Sequence, residues 1–415
     1  MPEAVIVATA RSPIGRAAKG SLKDLRPDDL AATIIDAALS KVPELDRTLI
    51  EDLYLGCGLP GGEQGFNMAR VVATLLGLDG LPGATVTRYC SSSLQTTRMA
   101  FHAIKAGEGD IFLSAGVETV SRFARGNSDG LPPEAQALVG GGWENPRLAE
   151  ARVRTTEAAK NGGVWHDPRA DGLLPDIYLG MGYTAENLAQ AYDVSRQDMD
   201  EFGVRSQNLA EKAIANGFWQ REITPVTTPD GKVVATDDGP RPGVTIEAVA
   251  GLKPVFRPDG RITAGNCCPL NDGAAAVVIM SDTKARELGI TPLARIVSTG
   301  VTALSPEIMG LGPVEASKQA LKRAGMTIDD IDLVEINEAF ASVVLAWEKE
   351  LDVDPAKVNV NGGAIALGHP LGATGARLMT TLLNELERTG GRYGLQTMCE
   401  GGGQANVTII ENLRV

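Results

Sequence analysis

The residue that first suggests chemistry is Cys90, in Arg88-Tyr89-Cys90-Ser91-Ser92-Ser93-Leu94. There a β-like segment gives way to small hydroxyl residues, and Leu94, Thr97, Phe101 and Ile104 follow at helical spacing. A thiol at a helix N-terminus feels the positive end of the peptide dipoles, which favours thiolate and nucleophilic attack. A buried cysteine packed as a small hydrophobe is the competing reading. The chain has 3 histidines, so a histidine-dependent mechanism has a short list of candidates. His102 falls inside the helix after Cys90, a packed or surface position, and His166 lies between Trp165 and Asp167 in a polar, solvated loop. His369 differs, because Gly362, Gly363, Gly368, Pro370 and Gly372 surround it. Such a loop gives up conformational entropy to hold one polar side chain in place. Cys399 precedes Glu400 and Gly401-Gly402-Gly403 at the end of a strand, where glycines let backbone N–H groups face a ligand as an oxyanion hole requires. Asn337, in Asn337-Glu338-Ala339-Phe340-Ala341, ends another strand and offers a fixed amide.

Other patterns fail on their surroundings. Gly56-Cys57-Gly58-Leu59-Pro60-Gly61 fits a dinucleotide-loop spacing, but Pro60 and Gly62 stand where a helix should begin. Cys267-Cys268 are adjacent rather than spaced for zinc, with no histidine nearby.

The elements that must position these residues alternate between β-branched runs and helical patterns, which indicates an α/β fold. Strands are expected at Ala4–Thr9, Asp52–Gly56, Ile111–Ala115, Ala275–Met280, Ala294–Gly300, Leu333–Asn337, Gln396–Met398 and Val407–Glu411. Helices are expected at Asp28–Lys41, Ser92–Ala106, Arg196–Asn216, Val314–Ala324 and Ala373–Thr389. Residues 27–116 and 313–403 repeat one order of features: a proline-initiated helix, an Asp-Leu strand, a loop opening a helix, and a strand ending in glycines. The repeat places Cys90 and His369 at matching positions of two related halves, with an active site shared between them. Residues about 117–250 interrupt the first half with loops, a glycine cluster at Gly140-Gly141-Gly142 and a polar helix, and read as an inserted domain.

Length and charge bound the rest. A chain of 415 residues is large enough for two domains or one duplicated architecture. With 39 basic and 52 acidic residues the net charge is −13, which argues against general nucleic-acid or anionic-membrane binding. The 5 cysteines are an odd, sparse set that does not suggest a disulfide framework. The apolar run after MPEA has no basic leader and reads as a buried strand. No stretch reaches the roughly 20 apolar residues of a membrane span, so a cytoplasmic protein is expected.

These residues, in this order, resemble the thiolase family, the acetyl-CoA acetyltransferases and 3-ketoacyl-CoA thiolases. The likeness rests on the Cys90 loop, Met181–Asn187, Thr263–Asn266, Asn271–Ala275, Asn337–Ala341, Gly362–Gly375 and Cys399–Gly403, and covers nearly the whole chain. It implies a duplicated five-layered α-β-α-β-α core with an inserted loop domain. Residues 1–120 and 251–285 would form the N-terminal half, 121–250 the insertion, and 286–415 the C-terminal half. It implies reversible acyl transfer between coenzyme A thioesters by ping-pong Claisen chemistry. Acyl-CoA and coenzyme A would be substrates, no further cofactor or metal is called for, and the assembly would be a homodimer or homotetramer. By resemblance, Cys90 is the nucleophile, His369 its base, and Cys399 the acid and base at the α-carbon. Asn337 would hold a water that polarises the enolate oxygen, and the N–H groups of Cys90 and Gly401 would stabilise the oxyanion. His369 and helix dipoles would lower one or both thiol pKa values. Met181, Phe256, Ala264, Cys268, Met309, Ala339 and Phe340 occupy substrate-binding motif positions. The pattern departs at Cys268, where serine is usual, at Ser93 and Gly180, and at Glu400, where an apolar residue is common. Two alternatives stay open: a decarboxylating ketoacyl synthase-type enzyme, which malonyl-CoA turnover would reveal, and an inactive acyl-CoA-binding thiolase-like subunit, which would bind without thiolysis.

Overall fold

The computed structural model describes residues 2–125 and 144–414; the glycine cluster at 140–142 lies outside them. The strands are β1 (Ala4–Arg11), β2 (Gly15–Arg16), β3 (Asp52–Gly56), β4 (Gly83–Val86), β5 (Ile111–Thr119), β6 (Val226–Thr227), β7 (Val233–Val234), β8 (Asn271–Ser281), β9 (Ala294–Ala303), β10 (Leu333–Ile336), β11 (Tyr393–Glu400) and β12 (Gln404–Asn412). One sheet runs β10-β11-β12-β9-β1-β8-β5-β3-β4, with β2 on β8 and a separate β6–β7 pair.

The duplication is visible in the pairing. In the first half β3 is parallel to β5 and to β4, β5 is antiparallel to β8, and β8 antiparallel to β1. The second half repeats this: β10 is parallel to β11, β11 antiparallel to β12, and β12 antiparallel to β9. A single parallel bridge from Val334 to Val358 stands where the first half has β4. Val5–Arg295 and Ile6–Ala294 then join the halves through β1 and β9.

Side-chain alternation explains the layers. On β8, Ala274, Ala276, Val278 and Met280 pack outward with α1 (Pro27–Leu39) and α2 (Met68–Leu75). Ala275, Val277 and Ile279 face inward onto α3 (Ser92–Ala106) and the helix Thr374–Thr389. Both faces of the strand are therefore buried, and it reads as a continuous apolar run. In the second half the helices Gly312–Ala324 and Ala341–Leu351 cover the outer face. The two central helices touch each other through the middle layer, so the turns that begin them meet as well.

Small residues make that contact possible. A Cβ on Gly56 would lie 2.5 Å from the Ser93 nitrogen, and one on Gly375 would lie 2.3 Å from the Leu94 nitrogen. The insertion between β5 and β8 is tied down by Arg11 at the end of β1. Its guanidinium meets Glu222 at 2.5 Å and Asp237 at 2.8 Å, all three buried side chains. The insertion's helix Arg196–Ala215 starts at a reciprocal cap between Ser195 and Asp198.

Candidate active site

Cys90 lies in the tight turn Tyr89–Ser91, which runs straight into α3. Tyr89 adopts φ of 47°, a left-handed conformation that a side chain opposes. Ser92 holds it there: its hydroxyl accepts the Arg88 N–H at 2.9 Å and donates to the Tyr89 carbonyl at 2.7 Å. Cys90 is 7% exposed. Burial pushes its thiol up to about 12; the Gly401 N–H aimed at the sulfur pulls the other way, and the nearby charges of Glu400 and Glu118 reinforce burial. Cys399 is fully buried near the end of β11, and burial followed by the proximity of Cys90 raises its thiol well above the usual value. Cys268 is a third sulfur in this field, raised by burial and by Cys267, Cys90 and Cys399. The expectation that dipoles and His369 depress the thiol pKa values is thus corrected: burial is the largest influence on both sulfurs, and the backbone N–H groups facing them offset it only in part.

His369 is positioned from both halves of the chain. Its N–H donates to Asn271 Oδ1 at 2.9 Å, and Asn271 Nδ2 donates to the Gly15 carbonyl at 3.0 Å. Gly368 precedes it with φ of 115°, where a Cβ would strike the Asn271 amide. The Thr374 hydroxyl donates its proton to the Pro370 carbonyl at 2.8 Å and sits 2.6 Å from His369 Nδ1. With its one hydrogen spent, that hydroxyl accepts, so Nδ1 carries the imidazole proton and Nε2 keeps its lone pair. Nε2 faces Asn337 Nδ2 at 3.4 Å. Burial, with the positive charge of Arg377 adding to it, pulls the imidazole down to about 3. The resting site therefore holds two neutral thiols and a neutral imidazole.

The halves correspond less closely than the repeat suggests. Cys90 lies two residues ahead of α3, whereas His369 lies five residues ahead of Thr374–Thr389. The turn matching Tyr89–Ser91 is Leu371–Ala373, and His369 sits just before it. Glu118 binds the second of these turns to the loop after β3: its buried carboxylate accepts Gly58 N–H at 2.7 Å, Gln64 Nε2 at 2.7 Å and Gly372 N–H at 2.8 Å. Glu338 does the same behind the histidine loop, accepting Ser206 at 2.6 Å, Asn359 at 2.9 Å and Ile365 N–H at 3.1 Å.

A cavity of about 520 Å³ opens beside Cys90 and Gly401. Ile177, Leu179, Met181 and Leu371 give it apolar walls, and Glu144 and Arg152 stand in its lining. Of the substrate-binding candidates, Met181 lines this space. Phe256 packs between Tyr183 and Phe340 at ring separations of 5.7 and 6.4 Å. Met309, Ala339 and Phe340 are buried in the same apolar cluster, Cys268 N–H donates to the Ala339 carbonyl at 3.0 Å, and Ala264 is exposed. His102 and His166 are exposed. Sequence reasoning missed Thr374, Glu118 and Ser91 as parts of the site, because a hydroxyl or carboxylate carries no motif until the loops around it are placed.

Residues 4–283 match the family model "Thiolase, N-terminal domain" and residues 290–412 match "Thiolase, C-terminal domain". A 3-ketoacyl-CoA thiolase of Bacillus subtilis is 42% identical over 424 residues, spanning 99% of this chain and 100% of that one. A beta-ketoadipyl-CoA thiolase of Acinetobacter baylyi is 41% identical over 422 residues, with 100% of both chains covered. The crystal structure of the Bacillus anthracis acetyl-CoA acetyltransferase superposes with a TM-score of 0.85 at 38% identity, covering 100% of this chain and 99% of that one. With its two halves, its insertion and the paired thiols between them, the chain belongs to the thiolase family, acyltransferases that act on acyl-CoA.

Proposed function

We propose that the chain exchanges acyl groups between coenzyme A and acetyl-CoA through an acyl-cysteine on Cys90, forming acetoacetyl-CoA or cleaving longer 3-ketoacyl-CoA of the kind β-oxidation produces. The observation that supports this most is Cys90 opening on an apolar-walled cavity, with the Gly401 N–H aimed at its sulfur and Cys399 within its field. In the cleavage direction the Cys90 sulfur attacks the C3 carbonyl, and its proton passes to His369 Nε2. The C2–C3 bond breaks, its electron pair stays on C2, and C2 takes the proton of Cys399, which releases acetyl-CoA. The thiol of coenzyme A then attacks the carbonyl carbon of the acyl group on Cys90, giving its proton to the Cys399 thiolate. Cys90 leaves and recovers its proton from His369. Because both thiols begin protonated, the proton leaves Cys90 as the carbon–sulfur bond forms. The N–H groups of Cys90 and Gly401 face the oxyanion, and Asn337, with His369, orients a water on the enolate oxygen.

The same cavity supports an uncharged acyl chain. Arg152, which lines it, is already engaged by Glu144 at 3.3 Å and by the buried Asp176 at 3.3 Å. A terminal carboxylate would enter next to Glu144 without a spare cation among the described lining residues. Thiolysis rates for a series of 3-ketoacyl-CoA lengths and for 3-oxoadipyl-CoA, followed at the thioester-enolate absorbance, test this. Uncharged chains should exceed 3-oxoadipyl-CoA in kcat/KM by at least about tenfold; the reverse order overturns the substrate assignment, and no thiolysis of any chain overturns the reaction.

Self-association as a dimer or tetramer belongs to this reading. Its support is that β4 ends the sheet order and that Phe66, beside the Asn67 that binds β4, is 95% exposed. A cytoplasmic setting also belongs to it, since five free cysteines persist where thiols are kept reduced. No described helix is long and apolar enough to cross a membrane.

A further inference from the structure

One buried carboxyl beside the two thiols has no task in this mechanism. Glu400 follows Cys399 at the end of β11 and is fully buried. Its Oε1 accepts the hydroxyl of Ser91, the residue after Cys90, while its Oε2 is buried with no hydrogen-bond partner among the described residues. A carboxylate in that position would leave half of its charge unsolvated, so the group keeps its proton unless the pH forces it off. Burial raises it to about 8, against the Ser91 bond and the charge of Arg88, both of which pull it down.

Among the described residues the charged and titratable groups around Glu400 are few, and Tyr89, in the turn that holds Cys90, is one of them. The turn contributes Cys90, its own strand Cys399, and the segment ahead of the turn Arg88. The Arg88 guanidinium donates to Gln404 at 3.0 Å, and Gln404, neutral, is opposite Glu400 in the β11–β12 register. On the other elements packed against β11, Glu307 is taken up by Arg154 and Trp165, Arg377 faces Glu335, and Glu315 pairs with Lys318 at the surface. Glu400 is thus placed to act on the two sulfurs, and its negative charge disfavours thiolate at both.

We propose that Glu400 is a positioning residue that ties the Cys90 turn to the Cys399 strand as a neutral acid and, by ionising, sets the alkaline limit of turnover. Protonated, it fixes Ser91 and leaves each sulfur free to ionise when its step comes. Ionised, it opposes thiolate at Cys90 and Cys399 together. The inference rests on the roles assigned to those two cysteines above.

The test compares wild type, Glu400→Gln and Ser91→Ala. It reads the rate of Cys90 alkylation by iodoacetamide against pH, located by peptide mass spectrometry, and the pH profile of kcat/KM for thiolysis. Wild-type alkylation should rise less steeply than hydroxide concentration once Glu400 ionises, whereas Glu400→Gln should rise without that bend. The variant should run about tenfold ahead above pH 9, the change that one pKa unit on a thiol produces. Its alkaline limb in kcat/KM should move up by about one pH unit. Ser91→Ala keeps the carboxyl but removes the bond that favours its ionised form, so its bend should move to higher pH; this variant answers the question if Glu400→Gln does not fold. Superimposable profiles for all folded variants overturn the proposal. Absence of any acyl group on wild-type Cys90 overturns the underlying reading instead, whatever the profiles show.

Discussion

At the scale of single residues, the geometry around His369 decides which nitrogen can work. Nδ1 is committed to Thr374, so Nε2 is the nitrogen that takes a proton. Replacing Thr374 by Val removes that acceptor and frees the other tautomer; kcat/KM should fall by about 10²-fold, and Thr374→Ser should restore it, as steady-state thiolysis will show. Asn337→Ala should lower kcat by about 10²–10³, the loss typical of one oxyanion donor, with an unchanged melting temperature. Since His369 is held down to about 3, kcat/KM should show no acid limb at the usual histidine value. The same depression carries a stability consequence. The unfolded chain protonates this histidine near its ordinary value of about 6.5, and the folded chain does not, so the contribution is complete above that pH and is lost as pH falls toward 3. Cys90, His369 and Cys399 are legible from sequence because each reactive type stands among small residues or glycines. Thr374 is not, because choosing it over Thr380 or Thr381 requires knowing that the chain turns back at Pro370.

At the scale of elements, the site depends on how closely two helices and two strand ends can approach. Gly116 on β5 faces the Gly372 carbonyl, where an added Cβ would lie 2.0 Å away, and Gly375 faces the backbone of Leu94. Neither neighbour is a flexible side chain, so Gly375→Ala should cost about 1–3 kcal/mol through overpacking, read as a lower urea midpoint. It should also reduce turnover, since the Cys90 turn and the histidine loop move apart. The central helices Ser92–Ala106 and Thr374–Thr389 agree with the periodicity in the sequence to within a residue, because their apolar stripes are regular. Strand β8 extends beyond the expected Ala275–Met280 to Asn271. Asn271, Asp272 and Gly273 are poor strand formers, kept in the ladder by Asn271 on Gly15 and Asp272 on Ser121. The strand Gly83–Val86 and the helices Met68–Leu75, Met181–Ala191 and Ala341–Leu351 escaped the reading. In the strand, no residue is fully buried and no alternation marks a face; the helices were hidden by mixed or continuous apolar runs.

At the scale of the molecule, two similar halves supply different groups to one site, the Cys90 thiol from one and the His369 imidazole and Cys399 thiol from the other. The repeat of helix, strand and glycine-ended strand was legible from spacing. The three-residue offset between Cys90 and His369 was not, because it lies in loops whose path no periodicity records. The insertion is coupled to this frame through Arg11, whose partners Glu222 and Asp237 would stay buried without a counter-charge in Arg11→Met. That variant should lose about 3–5 kcal/mol by denaturant unfolding. The proposed reaction carries the acyl group on Cys90, and Cys399 moves the proton at carbon. Mass spectrometry of the intact protein after mixing with acetyl-CoA tests this most directly, using wild type, Cys90→Ser and Cys399→Ser. An acetyl adduct should appear on wild type and on Cys399→Ser, mapped to Cys90, with Cys399→Ser making no acetoacetyl-CoA; a stable adduct on Cys90→Ser but none on wild type would contradict it.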